Sequence, residues 1–185
     1  WRQRLVPVRL TFSADDAGNQ QTGKYQGNVT LSIDNPLFRS DLFYITLGRN
    51  LAEQSKITDQ NGNSVKGSTT NYAVHYSVPY QNWLFSANAS QYQYHQAVAG
   101  TNNVYDYNGQ SRSQDLSLTR LLYRDAKRKT SLTLKGWHRD SHSFIDDAEL
   151  TIQRRDVAGW QLNLDHREYL GVATLDLGLG YQRGT

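Results

Sequence analysis

The 185 residues carry 20 Lys and Arg against 17 Asp and Glu, and a net charge of +3 scattered along the chain is too mild for a nucleic-acid partner. With no cysteine there is no disulfide framework, thiolate nucleophile or cysteine zinc cluster, and no run of about 18 apolar residues offers a transmembrane helix. Membrane barrel strands, about 9 to 11 residues long and half polar, are not excluded.

The rings are 12 Tyr and 4 Trp against 5 Phe, so most carry a polar handle suited to a boundary between oil and water. The sequence starts at Trp1 without a methionine, which predicts a processed product or a piece of a longer protein.

In chain order, residues 8–13 form the first predicted strand, with Val8, Leu10 and Phe12 alternating against Arg9, Thr11 and Ser13. Residues 15–24 gather Asp, Gly and Asn into a loop. The stretch 24–51 then organises the whole pattern. Tyr25, Gly27, Val29, Leu31 and Ile33 fall on one face, and Gln26, Asn28, Thr30, Ser32 and Asp34 on the other. Asn35-Pro36 suits a turn, and the period resumes with Phe43, Ile45 and Leu47.

Residues 52–70 read as a long polar loop around Asn61-Gly62-Asn63. Strands are then expected over 72–78 and from 83, joined by a tight turn at 79–82. The tyrosine-rich residues 92–114 read as strand extensions around a second long loop. Strands over 115–123 and 130–139 flank the charged turn 124–129, and Arg120 interrupts an otherwise apolar face. After a loop at 141–147 comes a long strand ending in Trp160, Leu162 and Leu164. A turn at 169–171 leads to the last strand, where Leu175, Leu177, Leu179 and Tyr181 oppose Thr174, Asp176, Gly178, Gly180 and Gln182.

The expected fold is all-β: an antiparallel up-and-down meander of about nine strands, with short turns at one end and long loops at the other, as in outer-membrane barrels. A soluble β-sandwich binding module or a diffusion porin would read similarly. Nine is odd, whereas single-chain bacterial barrels have even strand numbers, and open sheet edges do not survive in lipid. The chain therefore reads as the front part of a larger transmembrane β-barrel.

Catalysis has no positive signal. His138 and His142 stand four apart near Asp140, Asp146 and Asp147, but that spacing in a strand and loop does not make a metal site or proton relay converge. No nucleophile elbow or phosphate loop occurs, so neither an enzyme nor a cofactor is expected. The candidate functional residues are polar-face side chains within strands: Arg9, Gln26, Asn28, Thr133, Lys135, Asn163, Asp165, Arg167, Asp176 and Gln182. Inside a barrel they would line a hydrated lumen and pair with one another. A tight turn at 169–171 would bring Arg167 near Thr174 and Asp165 near Asp176, with Arg167 or Lys135 compensating the two carboxylates.

Several separated motifs in order carry a resemblance: DDAGNQQTGKY (15–25), LSIDNPL (31–37), SDLFYITLGR (40–49), NYAVHYSVPYQNW (71–83), SQYQYHQAVAG (90–100), LSLTRLLYRDAKRKTSLTLKGW (116–137) and GWQLNLDHREYLGVATLDLGLGYQRGT (159–185). Together they resemble the haemolysin secretion/activation proteins of the ShlB/FhaC/HecB type, the outer-membrane transporters of two-partner secretion. The resemblance implies a monomeric sixteen-stranded barrel in outer-membrane lipid, preceded by two periplasmic POTRA domains and plugged at rest by a helix. It also implies that one unfolded exoprotein, such as a haemolysin, adhesin or contact-dependent inhibition toxin, crosses without nucleotide hydrolysis. The POTRA domains, plug helix, later strands and VRG(Y/F) loop would lie outside these residues. The long loops 15–24, 52–70, 96–114 and 141–147 would be extracellular, and the turns 35–41, 79–82, 124–129 and 169–171 periplasmic.

Overall fold

The computed structural model describes residues 7–19, 21–51, 56–58, 62, 64–101 and 103–184. Trp1, and Asn61 and Asn63 of the expected loop turn, lie outside the described residues. The elements are β1 (Val8–Asp15), β2 (Gln26–Asp34), β3 (Leu42–Asn50), β4 (Lys56–Thr58), β5 (Ser64–Lys66), β6 (Ser68–Tyr80), β7 (Trp83–Ala99), β8 (Val104–Arg124), β9 (Arg128–Ile145), β10 (Ala148–Glu149), a 3-10 turn (Thr151–Gln153), β11 (Arg155–Leu170) and β12 (Ala173–Gly184). Nine of them form one antiparallel meander in the order β1-β2-β3-β6-β7-β8-β9-β11-β12; β10 adds to β9, and β4 and β5 make a separate hairpin.

The register aligns the two faces from strand to strand. Phe43, Tyr76, Ala87, Leu116, Gly136 and Trp160 stand in one cross-strand row on the apolar side. Tyr44, His75, Asn88 and Asp115 stand in the neighbouring row on the polar side. Exposure shows which side is concave. Along β8, Leu116, Leu118 and Arg120 are exposed whereas Asp115, Ser117 and Thr119 are half-buried, so the sheet curls around its polar face.

That curvature decides against the sandwich. The meander does not fold back on itself, and among the described residues the only buried apolar side chain is Ala97, 5% exposed. On the interior strands Leu116, Leu118 and Leu134 are 58%, 40% and 50% exposed, an apolar surface of the kind that marks an interaction face.

Two expected loops are mostly strand. β7, β8 and β9 run 17, 21 and 18 residues, and β7 and β8 stay paired out to Ala99 and Val104, so 104–114 is ladder and not loop. Residues 141–145 likewise continue β9, and the chain turns at 146–147. Polar composition misled there because the outward side changes character along the strands. Outward Phe85, Ala87 and Ala89 give way to Gln91, Gln93 and His95, and Leu134 and Gly136 to His138, Asp140 and His142. A strand beyond the apolar band meets water on both faces and needs no alternation. Arg120, the exception in the sequence pattern, lies at the opposite edge of the band with its guanidinium 5.0 Å from the centre of the Trp83 ring.

The turns at the other end are tight. β6–β7 and β11–β12 each reverse in two residues, 81–82 and 171–172, with Gln81 and Gly171 at φ 53° and 71°. Pro79 sits inside β6, one residue before its end, and does not break the strand. The 35–41 turn is longer and holds three non-glycine residues at positive φ, Asn35, Phe38 and Ser40, each costing about 1–3 kcal/mol that neighbouring contacts must offset.

Candidate functional site: a polar inner wall

All ten candidate residues project from the polar face, because each falls on the same parity as its cross-strand neighbours in the ladder. They do not form one cluster. Arg9 pairs with Asp34 at 3.2 Å near the short-turn end of β1. Gln26 and Asn28 stand at the long-loop end. There the Gln26 amide donates to the Gly23 carbonyl at 2.9 Å, and Asn28 accepts from Asn71 at 3.4 Å. Gly48 makes room for that amide pair: a Cβ there would meet both the Asn71 and Asn28 side-chain oxygens far inside contact distance. Thr133 shares a 2.9 Å hydrogen bond with Thr119, as Thr30 does with Thr46. Asn163 accepts from Gln161 at 2.9 Å, and Gln182 faces Gln161 across the ladder.

The expected pairing around Asp176 needs correction. The β11–β12 turn lies at 171–172 and not at 169–171, so the register moves by two: Arg167 faces Asp176, and Asp165 faces Gly178 and not Asp176. Arg167 donates from Nε at 2.5 Å and from Nη2 at 3.3 Å to the two Asp176 oxygens, a bidentate pair. Asp165, opposite Ser131 on its other side, has no ion pair among the described residues. Lys135 compensates neither carboxylate. That residue reaches the other way, its Nζ 3.5 Å from Asp115 Oδ1.

Asp115 belongs to a band that sequence reasoning missed. The rings of Tyr44 and His75 stack with centroids 4.7 Å apart, His75 Nδ1 lies 2.5 Å from Asn88 Oδ1, and Asn88 Nδ2 donates to Asp115 at 2.8 Å. With Lys135 the chain of contacts crosses β3, β6, β7, β8 and β9 on the polar face. Alternation placed His75 and Asn88 on the polar side of their strands. Only the register between strands shows that they touch.

Aromatic rings also lie on this wall, over glycines. A Cβ on Gly109 would come within 2.6 Å of the Tyr94 ring, and one on Gly159 within 2.7 Å of Trp137. Tyr94 packs against Tyr107 at 5.7 Å. The rings therefore lie close to the backbone at Gly109 and Gly159. His138 and His142 bind carboxylates individually, Asp156 at 2.6 Å and Glu149 at 2.7 Å, and no metal-ligating group of three forms among the described residues.

The arrangement is a curved wall with an apolar band on its convex face and a polar concave face, where Arg9, Lys135 and Arg167 are each paired with a carboxylate. A model of the family described as haemolysin secretion/activation protein ShlB/FhaC/HecB matches residues 1–185. The chain is 27% identical over 182 residues to outer membrane transporter CdiB-2 of Burkholderia pseudomallei (strain 1026b), covering 98% of this chain and 30% of that protein. To hemolysin transporter protein ShlB of Serratia marcescens it is 23% identical over 184 residues, 98% of this chain and 31% of the relative. Among solved structures, CdiB from Escherichia coli superposes with a TM-score of 0.85 at 24% identity over 100% of this chain and 32% of that one. CdiB from Acinetobacter baumannii gives 0.75 at 29% identity, covering 99% and 33%. The chain thus spans about a third of the length of its relatives, and its sheet is part of a barrel wall of that fold.

Proposed function

Because the chain belongs to the ShlB/FhaC/HecB family of haemolysin secretion/activation proteins, we propose that it forms the front part of an outer-membrane pore that exports a partner exoprotein. The observation that carries this reading is a convex face with a continuous apolar band, opposed to a polar concave face, across all nine strands. The full protein would be a monomeric sixteen-stranded barrel with POTRA domains before it and further strands after it. Short turns would face the periplasm and the extended β7–β9 hairpins the outside.

The concave wall suits an unfolded passenger. A chain in transit exchanges its hydrogen bonds to water for bonds to Asn, Thr and Gln side chains of comparable strength. The pore binds weakly and repeatedly, and its role is transport and not catalysis. Candidate passengers are a haemolysin or a contact-dependent inhibition toxin, as the relatives' names suggest for those proteins.

Export can be measured in cells that make the full-length protein with its exoprotein. Replacing Asn88, Asp115 and Lys135 together by Leu should leave the barrel assembled in the outer membrane while surface exoprotein falls. Unchanged export would remove the inner wall from the transport path. A diffusion porin would instead pass small solutes freely and leave exoprotein export unaffected by deletion of the gene.

A further inference from the structure

The turn between β2 and β3 is larger than a chain reversal requires. β6–β7 and β11–β12 turn in two residues, whereas this connection uses residues 35–41. Asp41 continues the outward-facing series of Phe43, Ile45 and Leu47, and it is 3% exposed. Its carboxylate accepts the Leu37 N–H at 3.2 Å, the Arg39 N–H at 3.3 Å and the hydroxyl of outward-facing Tyr76 at 3.0 Å. The turn is thereby folded over the convex apolar side and not toward the polar interior.

Other bonds lock it there. Asn35 Oδ1 accepts the Ser40 N–H at 2.7 Å, the Asn35 carbonyl accepts the Phe38 N–H at 3.2 Å, and Asn35, Phe38 and Ser40 sit at φ 62°, 58° and 58°. What this rigid frame presents is apolar: Phe38 is 89% exposed and Leu37 62%. They continue the band formed by Ile33, Phe43 and Val8, which face one another in adjacent strands. The carboxylates nearby are occupied, Asp34 by Arg9 and Asp41 by the turn itself. Arg39, exposed between them, makes no ion pair among the described residues.

We propose that residues 35–41 are a membrane anchor, with Leu37 and Phe38 seated in the interfacial zone of the periplasmic leaflet and Arg39 bound to the phosphate of an anionic phospholipid. The inference rests on the outer-membrane reading above. An aromatic and an aliphatic side chain continuous with a lipid-facing band, next to a guanidinium that makes no ion pair among the described residues, match the layered chemistry of acyl chain below headgroup phosphate. The strained frame fixes the depth of the ring, so the anchor would set the vertical position of this wall in the bilayer.

The test uses full-length protein in phosphatidylethanolamine vesicles with and without phosphatidylglycerol, spin-labelled at single introduced cysteines. Phe38→Cys reads the tip, and Leu37→Cys keeps the test open if substitution at the left-handed position disturbs folding. Leu177→Cys reports the convex band and Val172→Cys an exposed turn. The expected result is loss of accessibility to a water-soluble nickel chelate at 37 and 38, with oxygen accessibility approaching that of position 177. Phosphatidylglycerol should deepen the label, and Arg39→Gln should abolish that response. A label at 37 and 38 as open to chelate as at 172, with 177 still shielded, overturns the anchor and leaves the barrel reading intact. Chelate access at 177 as well overturns both. Shielding from oxygen and chelate alike overturns the lipid contact in favour of a protein neighbour, and indifference to phosphatidylglycerol and Arg39→Gln overturns the phosphate contact.

Discussion

Lys135 on β9 reaches diagonally to Asp115 on β8, 3.5 Å away, although the ladder sets Lys135 opposite Ser117 and Asp115 opposite Trp137. Asp115 also accepts from Asn88, so its carboxylate joins three strands. Removing it strands a cation and an amide together, whereas removing the lysine leaves the Asn88 bond in place. Asp115→Ala should destabilise the full-length protein by on the order of 1 kcal/mol, a figure already reduced for partial solvent access, and Lys135→Met by less. Urea unfolding midpoints of the two variants check the order.

The Arg167–Asp176 pair is bidentate yet open to solvent, with side chains 51% and 58% exposed. Such pairs contribute about 0–1 kcal/mol, so Asp176→Asn should leave stability nearly unchanged. It frees the Arg167 charge on the concave wall, and planar-bilayer recordings should show selectivity moving toward anions. Asp165→Asn should move it the same way, since that carboxylate has no ion pair among the described residues. Unchanged selectivity in both variants would place this face outside the conducting space.

Leu177 lies in the middle of the outward series Leu175, Leu177 and Leu179 on β12. An arginine there meets hydrocarbon if the convex face is the lipid face. Leu177→Arg should cost roughly 2–4 kcal/mol at the bilayer midplane, measured by folding into vesicles. Folding equal to the parent protein would contradict the outward assignment.

Acid should loosen two turns together. Burial pushes the Asp41 carboxyl upward, but the N–H groups of Asp41, Arg39 and Leu37 and the Tyr76 hydroxyl outweigh it and hold the group below its ordinary range. Asp125 is held low by the Tyr123 hydroxyl and by the N–H groups of Lys127 and Arg128. A depressed carboxyl contributes stability that is fully present above its unfolded value of about 3.9 and is lost as pH falls through the lower folded value. The protection of the Leu37, Arg39, Lys127 and Arg128 amides, measured against the exchange rate of an unstructured chain at the same pH, should therefore fall below about pH 4. Asp41→Asn should raise exchange of Leu37 and Arg39 at neutral pH and flatten their acid response, leaving Lys127 and Arg128 unaffected.

The sequence by itself determined the faces. Side chains in a strand alternate whatever surrounds them, so Val29, Leu31 and Ile33 could be separated from Asn28, Thr30 and Ser32 without knowing any partner, and nine such runs were legible in order. It also identified the short turns, because the strands on either side run apolar almost to the reversal. Tertiary structure decided everything that depends on register. A β11–β12 turn placed one position later moved Arg167 from Thr174 to Asp176, and the irregularity between Leu121 and Tyr123 reset β8 against β9. The first shift leaves no mark on alternation, since a move of two keeps each side chain on its face, whereas the bulge sets Leu121 in the inward row of Ser131 but Tyr123 in the outward row of Thr130. The His75–Asn88–Asp115–Lys135 band and the outward fold of residues 35–41 over Asp41 arise from contacts between strands far apart in the chain, where local pattern carries no information about distance.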